Sequence, residues 1–237
     1  MPSCRYPHLR TPKVWSSVRP ERLLYVAAHG WSDLMTLRDD IEATFGAQAF
    51  SRPTFYSNPG GLRFELSMSG SAVEQFLTAL RKASEVCGDI FEAEQTFTVC
   101  LSVILWRSPY GYRETLRDLE RAGVKVPRDR CMWLTTEEDS DDDDVVRTLY
   151  VAFSVERALL HGLLWCALGT DLGIRPCPRL GAVYLMSLPQ RVFVHPYDDR
   201  GMDVVGNNHP LLARLYAKYG SYLLDYDRKI MAASFEA

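Results

Sequence analysis

His195, Tyr197, Asp198, Asp199, Arg200 and Asp203 fall within nine residues of a 237-residue chain, and Asp225, Tyr226, Asp227 and Arg228 follow later. Two or three of these carboxylates converging in space could hold a divalent cation and activate water for phosphodiester hydrolysis. Asp227-Arg228-Lys229 also matches the acidic-x-Lys element of many nucleases, though chance often supplies a three-residue match. The same residues have a plainer reading. Asp198-Asp199-Arg200-Gly201 has aspartate where a β-turn opens and glycine where it closes, as in a type I turn followed by a left-handed glycine. Arg200 would then pair with a carboxylate such as Asp225 or Asp227. The turn and its ion pairs are preferred, so Tyr197, Asp198, Asp199, Arg200, Gly201, Asp203, Asp225 and Asp227 stand as a signature cluster without an assigned catalytic or metal-binding role.

Other chemistry is sparse. The chain has no G-x-G-x-x-G, no Walker loop and no G-x-S-x-G elbow. Its histidines never pair at zinc spacing with each other or with a cysteine. His161 lies in an apolar stretch and reads as a core or boundary residue. Six cysteines include no C-x-x-C pair, and several sit in apolar runs. They read as free buried thiols in a reducing compartment. No cofactor is expected. Such absences still allow an enzyme whose residues meet only in the fold.

Charge is the informative feature. The net charge of −3 hides two opposed segments. Glu137, Glu138, Asp139, Asp141, Asp142, Asp143 and Asp144 put seven carboxylates in eight residues. Residues 1–22 carry Arg5, Arg10, Lys13, Arg19 and Arg22 against Glu21 alone. Outside these segments the protein is neutral, which argues against broad binding of a phosphate backbone. Seven like charges cannot pack together, so 137–144 is expected to be a solvated loop, either a long hairpin tip or a domain-level break. An anionic tip of this kind can dock on a basic surface of another protein, as immunity proteins against basic toxins do. It lacks the spaced oxygen ligands and glycine of a calcium loop. The basic arm, interleaved with Tyr6 and Trp15, gives a separate route to nucleic acid.

The elements that must position these residues are an alternation of strands and helices. Residues 1–22 form a proline-rich arm, and 23–237 a single α/β domain with a possible subdivision at 137–144. Leu23–Ala28 reads as a strand. Leu34, Leu37, Ile41 and Phe45 mark a helix from Ser32 to Gly46. Pro53 to Gly61 is turn-rich. Leu62, Phe64, Leu66 and Met68 alternate with Arg63, Glu65 and Ser67 in a half-buried strand. A Ser71/Glu74 capping box opens the next helix. Strands follow at Thr96–Trp106, Cys131–Thr135 and Arg147–Phe153, with a helix over Arg113–Ala122 stopped by Gly123. Val155–Leu168 reads as a buried helix, too short to cross a membrane. Ala182–Ser187, Arg191–His195 and Met202–Val205 form a three-strand meander, followed by helices over Pro210–Tyr219 and Ser221–Phe235. The fold class is α/β or α+β, with a mixed, largely antiparallel sheet and flanking helices. No N-terminal segment has the charged-then-apolar order of a secretory signal, so the cytoplasm is the expected location.

Val192–Val205 (VFVHPYDDRGMDVV), Leu215–Tyr219 (LYAKY) and Leu224–Arg228 (LDYDR), together with the upstream Leu62–Leu66 (LRFEL), resemble the bacterial family known as domain of unknown function 3885. The Tyr-Asp-Asp-Arg-Gly-x-Asp string is the specific part, and the arm and acidic run lie outside the pattern. The resemblance implies a small bacterial α/β protein and supplies no activity, catalytic residue or cofactor. The expectation is therefore a non-enzymatic protein that binds another protein with a basic surface, in an immunity-like or accessory role in a toxin or mobile-element system. The alternatives are metal-dependent phosphodiester hydrolysis by Asp198, Asp199, Asp203, Asp225 and Asp227, and nucleic-acid binding through the arm.

Overall fold

A computed structural model describes residues 31–47, 49–105, 110–138 and 145–236. The basic arm, the Leu23–Ala28 strand and Asp139 to Asp144 lie outside the described residues. Seven strands form one sheet: β1 (Leu62–Glu65), β2 (Thr96–Ile104), β3 (Cys131–Glu138), β4 (Val145–Glu156), β5 (Ala182–Ser187), β6 (Val192–Asp198) and β7 (Gly201–Gly206). Their spatial order is β1-β7-β6-β5-β2-β4-β3, and every neighbouring pair is antiparallel. The α+β expectation and the C-terminal meander are both met.

Both faces of this sheet are covered. Val99, Leu101, Val151, Phe153, Leu185, Val194 and Val204 pack under α3 (Ala72–Ile90), α5 (Leu160–Leu168) and α6 (His209–Lys218). Cys100, Ala152, Tyr184, Met186, Phe193 and Val205 meet Ile41 of α1 (Trp31–Phe45) on the other. That is why the central strands read as continuous apolar runs rather than alternations. α3 begins with the full capping box, Ser71 accepting from Glu74 N–H and Glu74 accepting from Ser71 N–H. α4 (Tyr112–Arg121) ends ahead of Gly123, whose φ of +84° only glycine adopts freely. The cysteines Cys87, Cys100, Cys131, Cys166 and Cys177 are all free.

Three expectations need correction. The helix expected from Val155 starts only at Leu160, because Val155 and Glu156 remain in β4, opposite Phe97 and Thr96 of β2. Long-range pairing there overrides local helical periodicity. His161 is exposed on α5 rather than buried in a core. Ser221–Phe235 is not one helix: two 3₁₀ turns, 220–222 and 225–227, precede α7 (Arg228–Phe235).

The two edges of the sheet differ. β1 is covered by the C-terminal segment: Leu224 N–H donates to the Arg63 carbonyl at 2.9 Å, and Arg63 N–H to Met231 Sδ at 3.3 Å. β3 is the last strand at the opposite end, with no described strand beyond it. Glu138 pairs with Val145, so the acidic run connects two neighbouring strands at the β3 edge.

Candidate functional site

Strand register assembles the signature cluster. Arg63 of β1 stands opposite Asp203 of β7, and Asp203 opposite His195 of β6. The Tyr184 ring of β5 packs against His195 at 4.6 Å between centroids. These residues form one row across four strands, on the sheet face away from α3 and α5.

Arg63 is the centre of this row, with a side chain only 14% exposed. It grips Asp203 with two prongs, Nε to Oδ1 at 2.8 Å and Nη2 to Oδ2 at 3.2 Å, and reaches Asp227 Oδ2 through Nη1 at 3.1 Å. Asp203 is 2% exposed and Asp227 fully buried at the side chain. Removing such charges from water is tolerable only with this kind of bonding. Rings of Phe55, Tyr56 and Tyr197 lie 5.0, 4.9 and 5.9 Å from the guanidinium carbon.

One short helical turn, α2 (Thr54–Ser57), completes the cluster. Thr54 Oγ1 lies 2.8 Å from His195 Nδ1, Phe55 N–H donates to Asp203 Oδ2 at 3.0 Å, and Tyr56 Oη donates to Asp227 Oδ1 at 2.8 Å. Burial, and then the charges of Arg52 and Arg63, hold the His195 imidazole down to about 3, so it is neutral in the fold. Burial pushes the Asp203 carboxyl above its ordinary range, while the Arg63 bonds and charge pull in the opposite direction. For Arg63, burial works against the charge, but its bonds to Asp203 outweigh that and raise it above the usual guanidinium value.

The β6–β7 turn is built separately. Asp198 Oδ1 accepts from the N–H groups of Arg200 and Gly201, at 2.8 and 3.1 Å, and its other oxygen pairs with the Arg200 guanidinium. Arg200 therefore pairs with its own turn, and not with Asp225 or Asp227 as expected. Asp225 pairs with Arg228 and Asp227 with Arg63. Buried Asp199 accepts from Ser67 Oγ at 3.0 Å, and the Arg200 carbonyl accepts from Leu66 N–H at 2.8 Å, pinning the turn to the end of β1. Gly201 is not left-handed. It is required because any Cβ there would collide with the Tyr197 ring.

The structure thus brings Tyr197, Asp203 and Asp227 together around Arg63, gives Asp198, Asp199, Arg200 and Gly201 to the turn, and leaves Asp225 at the surface. The carboxylates converge on the chain's own guanidinium, in the position a cation would take. Among the described residues no group of three or more acidic, histidine or cysteine side chains is arranged to hold a metal ion. Sequence reasoning missed Arg63 and the Thr54-Phe55-Tyr56 turn. Arg63 fits the polar half of an alternating strand, and nothing local says that α2 covers that half.

Of the residues expected to bind a partner, Glu137 and Glu138 are the last two positions of β3. Asp139, Asp141, Asp142, Asp143 and Asp144 lie outside the described residues, on the connection to β4. Earlier on β3, Met132 and Leu134 are 38% and 49% exposed.

The family model described as Domain of unknown function (DUF3885) matches residues 37–227, from within α1 to Asp227, a range that holds the Arg63 cluster and the β6–β7 turn and, contrary to expectation, also the acidic run. No curated protein and no solved structure matches the chain.

Proposed function

The chain belongs to that family, and we propose that it acts as a non-enzymatic, cytoplasmic protein-binding protein that presents its acidic hairpin to a basic surface on another protein. The observation that carries this reading is the place of the acidic run in the chain: it joins β3 to β4 at the edge of the sheet, on a hairpin whose outermost strand exposes Met132 and Leu134. An anionic tip raises the rate of encounter with a basic partner, and adjacent apolar side chains slow its departure. An immunity-like or accessory role in a bacterial toxin or mobile-element system is the biological setting we propose for such a binder.

The alternative is hydrolysis by Asp198, Asp199, Asp203, Asp225 and Asp227. The geometry weighs against it, because four of the five already accept hydrogen bonds that hold the turn or Arg63 in place, and the fifth sits apart on Arg228. A binding role for the basic arm would show as steep salt dependence on nucleic acid, abolished by removing residues 1–22.

The experiment is capture of the tagged full chain from its native host, with native mass spectrometry at low and high salt. The expected result is a stoichiometric protein that dissociates as salt rises. Retention of the same partner after all seven carboxylates of 137–144 are replaced by Asn or Gln would overturn the reading.

A further inference from the structure

β3 is the outermost described strand, and an antiparallel strand directs alternate N–H and C=O groups to each side, so half of its polar backbone points outward. Proteins usually blunt such an edge with lysine, proline or a bulge. The middle of β3, Met132-Trp133-Leu134-Thr135-Thr136, carries no charge and pairs with β4 without a bulge. Met132 and Leu134 stay exposed although their β4 partners, Val151 and Leu149, are buried. Charge is confined to the two ends and has opposite sign. Arg128, Asp129 and Arg130, with a net charge of +1, precede the strand, while Glu137, Glu138 and the acidic run end it.

We propose that this edge pairs with the same edge of a second copy of the chain, antiparallel about a twofold axis normal to the sheet. Such an axis keeps each face on its own side, so opposed residues share a face and the register centres on one residue. Centred on Leu134, the pairing sets Leu134 against the second copy's Leu134, Met132 opposite Thr136, and Arg130 opposite Glu138. Arg130 already lies along the required face: its Nε donates to Met132 Sδ at 3.3 Å and its Nη1 to the Pro127 carbonyl at 2.8 Å. It has no carboxylate partner among the described residues.

The alternatives fit less well. Parallel pairing would set the two acidic runs side by side and arginine beside arginine. An unrelated strand would need its own opposed charges at this spacing, whereas a second copy supplies both. The twofold also sends the two acidic tips to opposite ends of a joined sheet, leaving them free for other contacts. This inference does not rest on the partner reading above.

The test is sedimentation of the full chain across a concentration series at low salt, with circular dichroism confirming that each variant is folded. Wild type is expected to dimerise. Arg130→Glu and Glu138→Arg, each alone, should weaken the dimer about tenfold, since both cross-pairs then repel. Mixed in equal amounts, the two variants should form a one-to-one heterodimer, because every cross-pair regains opposite sign. Leu134→Lys should be monomeric. Wild type that stays monomeric, or variants that dimerise like wild type and show no preference on mixing, overturns the pairing. So does hydrogen exchange showing the outward β3 amides already protected in the Leu134→Lys monomer, which would mean that another part of the same chain occupies the edge. An Arg130→Glu chain, held at a concentration where it is monomeric, that still captures a basic partner separates this result from the proposed function.

Discussion

The two ends of the sheet handle charge in opposite ways. At the β1 end, buried Arg63, Asp203 and Asp227 satisfy one another, a helical turn closes over them, and the C-terminal segment covers the strand edge. At the β3 end, seven carboxylates fall in eight consecutive residues with a single nearby cation in the sequence, Arg147, and the outermost described strand exposes Met132 and Leu134. Charges that neutralise one another in the interior fix a structure; charges gathered in water at an edge can attract something else. On this contrast the signature residues hold the fold together, and the acidic hairpin is the surface we propose for contact with a partner.

The contrast breaks most visibly at Arg63. Arg63→Met leaves two buried carboxylates facing each other without a cation, and should cost about 3–5 kcal/mol in urea unfolding, a large part of a domain's stability. A loss under 1 kcal/mol would mean that water reaches the cluster and that it is not the rigid end. Gly201→Ala drives a methyl group into the Tyr197 ring and should cost about 1–3 kcal/mol by the same measurement.

The pH dependence sharpens the picture further. The folded His195 is depressed to about 3 from an ordinary value near 6.5. Below pH ~6.5 the unfolded chain binds a proton that the folded chain refuses, so this stability is complete above ~6.5 and drains away as pH falls toward 3. Between pH 7 and 5 the wild type should lose about 1–2 kcal/mol more than His195→Gln, compared by urea midpoints at each pH. Equal losses would show that His195 is solvated. The smallest effect belongs to Asp225, whose side chain is 90% exposed: Asp225→Asn should change stability by less than about 0.5 kcal/mol, although it sits in the same signature as Asp203.

Much of the fold was legible in the sequence because its signals are local. The Ser71/Glu74 box, the Gly123 stop and the turns of the meander each depend on a few consecutive residues. The site was legible only in part. Asp198 could be read as a turn residue, since it bonds to amides two and three positions on. Asp203 and Asp227 could not be assigned, because their partner Arg63 lies 140 and 164 positions away. Arg63 itself looked solvent-facing, because the residue that closes over it, Tyr56, comes from a stretch whose glycines and prolines announce only a turn. Val155 failed in the other direction: its periodicity favoured a helix, and pairing with Phe97 on a distant strand decided the matter.

The most direct measurement alters one end of the sheet at a time. Three tagged full-length chains are used as bait in the native host: wild type, a chain with the seven carboxylates of 137–144 neutralised, and Asp225→Asn as a control at the far end. The account predicts one salt-sensitive, stoichiometric protein partner on wild type and on Asp225→Asn, and its loss from the neutralised chain. A partner held equally by the neutralised chain would contradict the account, and one lost only with Asp225→Asn would contradict it and place the binding surface at the β1 end.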